Sequence, residues 1–122
     1  SDSNAGVSYA MTIRRTMTSD MEGAFMECLT RIWLQCDNPR LAGAIRYGRR
    51  VLTAFDVHSN LEDTRVLSCL ALDAYHRISG LLEETAVGYQ SAGPIRRHMA
   101  ASVDRYAMPV MCHLATVAAI KR

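Results

Sequence analysis

The stretch SNLEDTRVLSCLALDAYHRISGLLEE, Ser59–Glu84, decides the fold class of this chain. Val66, Leu67, Leu70, Ala71, Ala74, Ile78, Leu81 and Leu82 recur at the three-and-four spacing of an α-helix, with Leu72 on yet another side. Ser59-Asn60-Leu61-Glu62 has the S-x-x-E form of a capping box, which ties down amide donors orphaned at a helix start. A helix apolar around most of its circumference is expected at the centre of its fold or at a subunit interface. The remaining polar stripe is Arg65, Asp73, His76, Arg77, Gly80 and Glu84.

That stripe contains an acidic-x-x-His pair, Asp73 and His76. A di-metal carboxylate bundle needs such a pair on two helices, with a further glutamate from each of two others. The positions three before His58, His98 and His113 are Phe55, Ile95 and Val110, so the second pair is missing. His76 and Glu83 stand seven residues apart, ~10 Å along one helix, too far to share an ion without ligands from elsewhere. Asp73 and Arg77 are instead spaced as an i,i+4 ion pair on a wet face. No metal ligand set and no cofactor is expected from these residues.

Outward from this helix the pattern repeats. Upstream, Ser19-Asp20-Met21-Glu22 is another capping box, followed by Met21, Phe25, Cys28, Leu29, Ile32 and Cys36 on one side. This predicts a first helix from about Asp20 to Gln35 with that side in the core. Cys36-Asp37-Asn38-Pro39 is turn chemistry, and Pro39 suits the first position of a second helix reaching about Phe55. The second helix buries Leu41, Ala44, Ile45, Gly48, Leu52 and Phe55, and a glycine in that stripe implies close helix–helix approach. Downstream, Gln90–Pro94 is a loop, and a fourth helix from Pro94 to about Met108 buries Ile95, Met99, Val103 and Tyr106. Pro109 removes an amide donor, so the helix is expected to break there and resume as a short segment over Val110–Ile120. The expected architecture is all-α: a compact bundle of four main helices, the last broken at Pro109, with short antiparallel connections.

Before the bundle, residues 1–18 form an N-terminal arm, and residues 19–122 make the single domain. Residues 1–6, SDSNAG, carry no fold signal. Val7, Tyr9, Met11 and Ile13 then alternate strictly, the period of a half-buried strand. Nothing later in the chain offers a strand partner. The arm either pairs with its copy in a second subunit or lies as an irregular tail on the bundle.

Composition narrows the function classes. At 122 residues, 49% hydrophobic and 21% charged, the chain can bury a core of its own. A net charge of +2 is too small for a general grip on nucleic acid. Of the fourteen basic residues only Lys121 is a lysine. That skew fits coding bias, or selection for bidentate contacts to phosphate or carboxylate. Cys28, Cys36, Cys69 and Cys112 form no C-x-x-C pair and lie in apolar stretches, as small hydrophobes of a reduced, cytoplasmic protein (host cytoplasm or nucleus for a viral one). No apolar run approaches the ~18 residues of a membrane span. No nucleophile elbow, P-loop or dinucleotide glycine pattern is present, and adjacent Cys112 and His113 project about 100° apart on a helix. His76 lacks the lysine-glycine surroundings of a phosphotransfer histidine.

The surface candidates are therefore for binding. Arg46, Arg49 and Arg50 lie within about 100° on the second helix, a face that could hold phosphates or an acidic strip of a partner. A helix-turn-helix register through Ala44 and Gly48 fails, because Arg49 would fall on an apolar position. Trp33, the single tryptophan, is either a core-edge residue or an interface anchor. Met21, Met99 and Met108 fall on core positions, whereas Met11 and Met17 belong to the arm. The expectation is a non-enzymatic interaction or regulatory protein and a homodimer. Val7, Tyr9, Met11, Ile13 and Leu72 would contact the second copy, and Arg46, Arg49, Arg50 and Trp33 an acidic protein partner. The alternative is a nucleic-acid-binding regulator using the same arginines with Arg14, Arg15, Arg96 and Arg97; a bundle enzyme or metal protein ranks third.

Overall fold

The computed structural model describes residues 18–58, 60–90 and 92–120. Within them are four helices and no strand: α1 (Ser19–Asp37), α2 (Pro39–Val57), α3 (Leu61–Gly88) and α4 (Pro94–Ala118). The alternating arm segment Val7–Ile13 lies outside the described residues. Connections of one to five residues force each helix to run back along its predecessor. α2 packs against both α3 and α4, α3 packs on α4, and α1 lies against α2 and α4. Leu41, Ile45, Ile78, Val103 and Leu114 are fully buried where α2, α3 and α4 meet. Gly48 makes that meeting close. A Cβ there would stand 2.9 Å from Leu114 Cδ1 and 3.3 Å from Ile78 Cδ1 and Val110 Cγ1.

The helix starts are capped, though not by the expected residues. Thr18, not Ser19, caps α1, its hydroxyl accepting from the Met21 amide at 3.4 Å. Asn60, not Ser59, caps α3, accepting from the Asp63 amide at 2.8 Å. Both sequences offer two overlapping registers, since Thr18 and Asn60 are also good capping residues three positions ahead of an orphan amide. Asn38 does most at one position. Its amide donates to Leu34 O, closing α1. Its side chain accepts from Leu41 N, opening α2, and donates to Thr85 Oγ1 of α3 at 2.7 Å. At the other end of α3, the buried Ser68 hydroxyl lies within 3.2 Å of Ala118 O and 3.3 Å of Ile120 O, fastening the end of α4. No buried side-chain polar atom among the described residues lacks a partner.

Five expectations need correction. α4 runs unbroken through Pro109. The proline is exposed, so the carbonyl of Arg105 that loses its donor can turn to water. Buried Ala107, Val110, Met111 and Leu114 hold the helix together on both sides of it. All four cysteines are exposed rather than packed as small hydrophobes. Of the methionines placed in the core, Met99 is buried while Met21 and Met108 are about half exposed. Val66 and Leu70 of α3 and Ile95 of α4 are exposed, because each lies on a side of its helix that no neighbouring helix covers. The largest departure is α1. It buries Thr30 and Leu34, while of its expected core stripe Met21, Cys28, Ile32 and Cys36 are exposed and Phe25 and Leu29 half-buried.

Candidate functional site

α2 carries Arg40, Arg46, Arg49 and Arg50 against a single acidic residue, Asp56. The bundle sends these arginines in three directions. Arg49 turns inward over the ring of Tyr106 in α4, 5.0 Å from its centroid, and Arg31 of α1 lies over the same ring at 5.3 Å. A guanidinium over an aromatic face is held by the ring's quadrupole, so Arg49 is largely spoken for. Arg31 also donates to Glu27 at 3.0 Å. Arg49, Tyr106 and Glu27 line a cleft of about 620 Å³ between α1 and α4, with Glu22, His98 and Arg105 also in its wall.

Arg50 faces the opposite cleft, about 910 Å³, between α2 and α3. Gly43, Ala44 and Gly80 keep that groove open, and Arg40, His76 and Arg77 border it. Here the stripe of α3 finds its chemistry. Asp73 Oδ2 accepts from Tyr47 OH at 3.1 Å and forms an ion pair with Arg77 Nε at 3.0 Å, and the Arg77 guanidinium lies 5.3 Å from the Tyr47 ring centroid. Burial first, and then the bond to Asp73, push the Tyr47 phenol above its ordinary value. Arg40 meets Glu84 across the groove at 3.6 Å. Asp73 is thus committed to holding α2 on α3. Among the described residues no group of three His, Cys, Asp or Glu side chains comes together as a metal cage.

Arg46 points outward between the two clefts. Neither Arg46 nor Arg50 has a hydrogen bond or ion pair among the described residues. Of the other expected contacts, Trp33 is half-buried against the core, its ring 5.3 Å from that of Tyr89. It joins the C-terminal ends of α1 and α3 within the chain. Burial and the Asp37 carboxylate raise the Tyr89 phenol above its ordinary value. Leu72 is 44% exposed on α3. Val7, Tyr9, Met11 and Ile13 lie outside the described residues, as do Arg14 and Arg15.

Sequence reasoning missed Arg40, Arg77 and Tyr106 as neighbours of the arginine face. Part of the signal was present: Arg40, Gly43, Tyr47 and Arg50 repeat at three and four residues along one edge of α2. Their partners on α3 and α4 could not be known without the packing. Compared with known protein families, curated proteins and solved structures, the chain gives no match. No helix among the described residues is long and apolar enough to cross a membrane.

Proposed function

We propose that the chain is a non-enzymatic interaction or regulatory protein that works as a homodimer and holds an acidic protein partner on the outer face of α2. One observation carries the reading. Arg46 and Arg50 stand one helical turn apart, exposed, with no carboxylate partner among the described residues. Nearby arginines are engaged within the chain: Arg31 with Glu27, Arg40 with Glu84, Arg77 with Asp73 and Arg96 with Asp37. Two like charges at i,i+4 cost a helix about 0.2–0.5 kcal/mol, and an acidic ligand bridging both guanidinium groups would reverse that cost. Four exposed, unpaired cysteines favour a reducing compartment, the cytoplasm or, for a viral chain, the host cytoplasm or nucleus.

The test is fluorescence anisotropy with two labelled probes at matched salt, a polyglutamate peptide and a mixed-sequence DNA duplex. Salt-dependent binding of the peptide, weakened at least about tenfold by Arg46→Glu/Arg50→Glu, is the expected result. Tighter binding of the DNA would transfer the site to nucleic acid. Binding of neither probe would overturn the reading.

A further inference from the structure

α1 leaves much of its expected core stripe exposed. Met21, Phe25, Cys28, Leu29, Ile32 and Cys36 form an uncharged strip roughly 22 Å long on the helix. Met21 is 54% and Ile32 55% exposed, both cysteines are exposed, and Phe25 and Leu29 are only half-buried. Inward, the helix offers Thr30 and Leu34, both buried, and half-buried Trp33, with Glu22, Gly23, Met26 and Glu27 beside the α4 cleft. This orientation is fixed from outside the strip. A one-residue link at Asn38, the Trp33–Tyr89 contact and the Arg96–Asp37 pair at 3.0 Å hold the C-terminal end. Among the described residues nothing covers Met21, Cys28, Ile32 and Cys36, and an apolar strip of this length left in water is a surface awaiting a cover.

The spacing of the strip says what the cover is. The intervals between its six residues are four, three, one, three and four, a palindrome centred between Cys28 and Leu29. An antiparallel copy of the same helix, related by a two-fold axis through that centre, sets Met21 against the partner copy's Cys36 position, Phe25 against Ile32, and Cys28 against Leu29. Each contact then occurs twice, as closed two-fold symmetry requires of a self-complementary patch. Met21, Phe25, Cys28 and Ile32 also step by four, three and four, the seam of two helices packed side by side. The bordering charges do not oppose this pairing. Glu22 and Arg31 border the strip, and the axis levels Glu22 with Gln35 and Arg31 with Met26 of the second copy, so neither stands level with its own copy.

We propose that the outward strip of α1 is the surface on which a second copy of this chain docks, antiparallel, about an axis at Cys28–Leu29. This rests on the homodimer reading above and replaces Leu72 and the arm as its principal contact.

The test combines light scattering with cysteine cross-linking on the full chain. Wild type should be a dimer at micromolar concentration. Met21→Glu/Ile32→Glu, at two positions more than half exposed, should keep its helical circular dichroism and weaken the dimer at least about a hundredfold. Independently, a variant retaining only Cys28 should form an intermolecular disulfide under mild oxidation at least about ten times faster than variants retaining only Cys69 or only Cys112. The axis places the two Cys28 residues within about 1.5 Å of level along the paired helices. A dimer unaffected by the glutamates, with no preference for Cys28, would keep the homodimer and overturn this interface. A wild-type monomer would remove both. A monomer that dimerises through Cys28 only after residues 1–17 are deleted would show the arm to be the native cover, and would also overturn the proposal.

Discussion

Gly48 shows how one residue can reverse a general rule. Replacing a mid-helix glycine by alanine normally stabilises a helix by about 1 kcal/mol. At Gly48 the added methyl would meet Leu114 at 2.9 Å and Ile78 and Val110 at 3.3 Å, so three core side chains would have to give way at once. Overpacking of this kind costs about 1–3 kcal/mol, so Gly48→Ala is expected to lower stability in urea unfolding. A Cβ at Gly80 would meet nothing within 4 Å, and Gly80→Ala is expected to raise stability by about 0.5–1 kcal/mol. Tyr47 makes a pH-dependent prediction. Because its phenol is raised by burial and by Asp73, the folded chain holds that proton more tightly than the unfolded chain. The associated stability is complete below the unfolded value near 10 and is lost as pH climbs through the folded one. Unfolding free energy measured from pH 7 to pH 11 should therefore fall on the alkaline side, and fall less steeply in Tyr47→Phe.

Among the elements, the α1–α2 junction depends on Asn38 more than its single position suggests. Asn38→Ala loses both the cap on Leu41 N and the bond to Thr85, and is expected to cost about 1–2 kcal/mol. Asn60→Ala, which removes one cap at an exposed start, should cost about 1 kcal/mol or less. The same denaturation series separates the two. In α4, Pro109→Ala restores an amide donor four residues beyond Arg105 without disturbing a buried side chain, so a gain of about 2 kcal/mol is expected. The caps were legible as regions and not as residues. Thr18 beside Ser19, and Ser59 beside Asn60, give nearly equal local choices.

For the whole molecule, the open question of covered surface becomes a measurable one. If two copies associate, folding and association are linked, and the midpoint of thermal unfolding should rise with protein concentration. Calorimetry over a hundredfold range of concentration checks this, and a constant midpoint would point to a monomer. The arginine face is a second property of the whole molecule. Arg46, Arg49 and Arg50 share one side of an isolated helix, yet the neighbouring helices divide them. Tyr106 draws Arg49 to one cleft, Arg50 borders the other, and Arg46 remains between.

Helical period, turn chemistry and prolines at helix starts were sufficient to determine four helices and where each begins, because these signals act within a few residues of chain. The buried faces of α2 and most of α4 were legible for the same reason: each has one stripe that can be apolar. The rotation of α1 was not. Its most apolar side would enter the core if the helix packed alone, but Asn38, Trp33 and Asp37 are tied to α3 and α4, and those ties fix which side faces in. Local sequence determines that a helix forms, since its hydrogen bonds are internal. Which face it buries is decided by contacts distant in the chain, and here those contacts turned the apolar face of α1 outward.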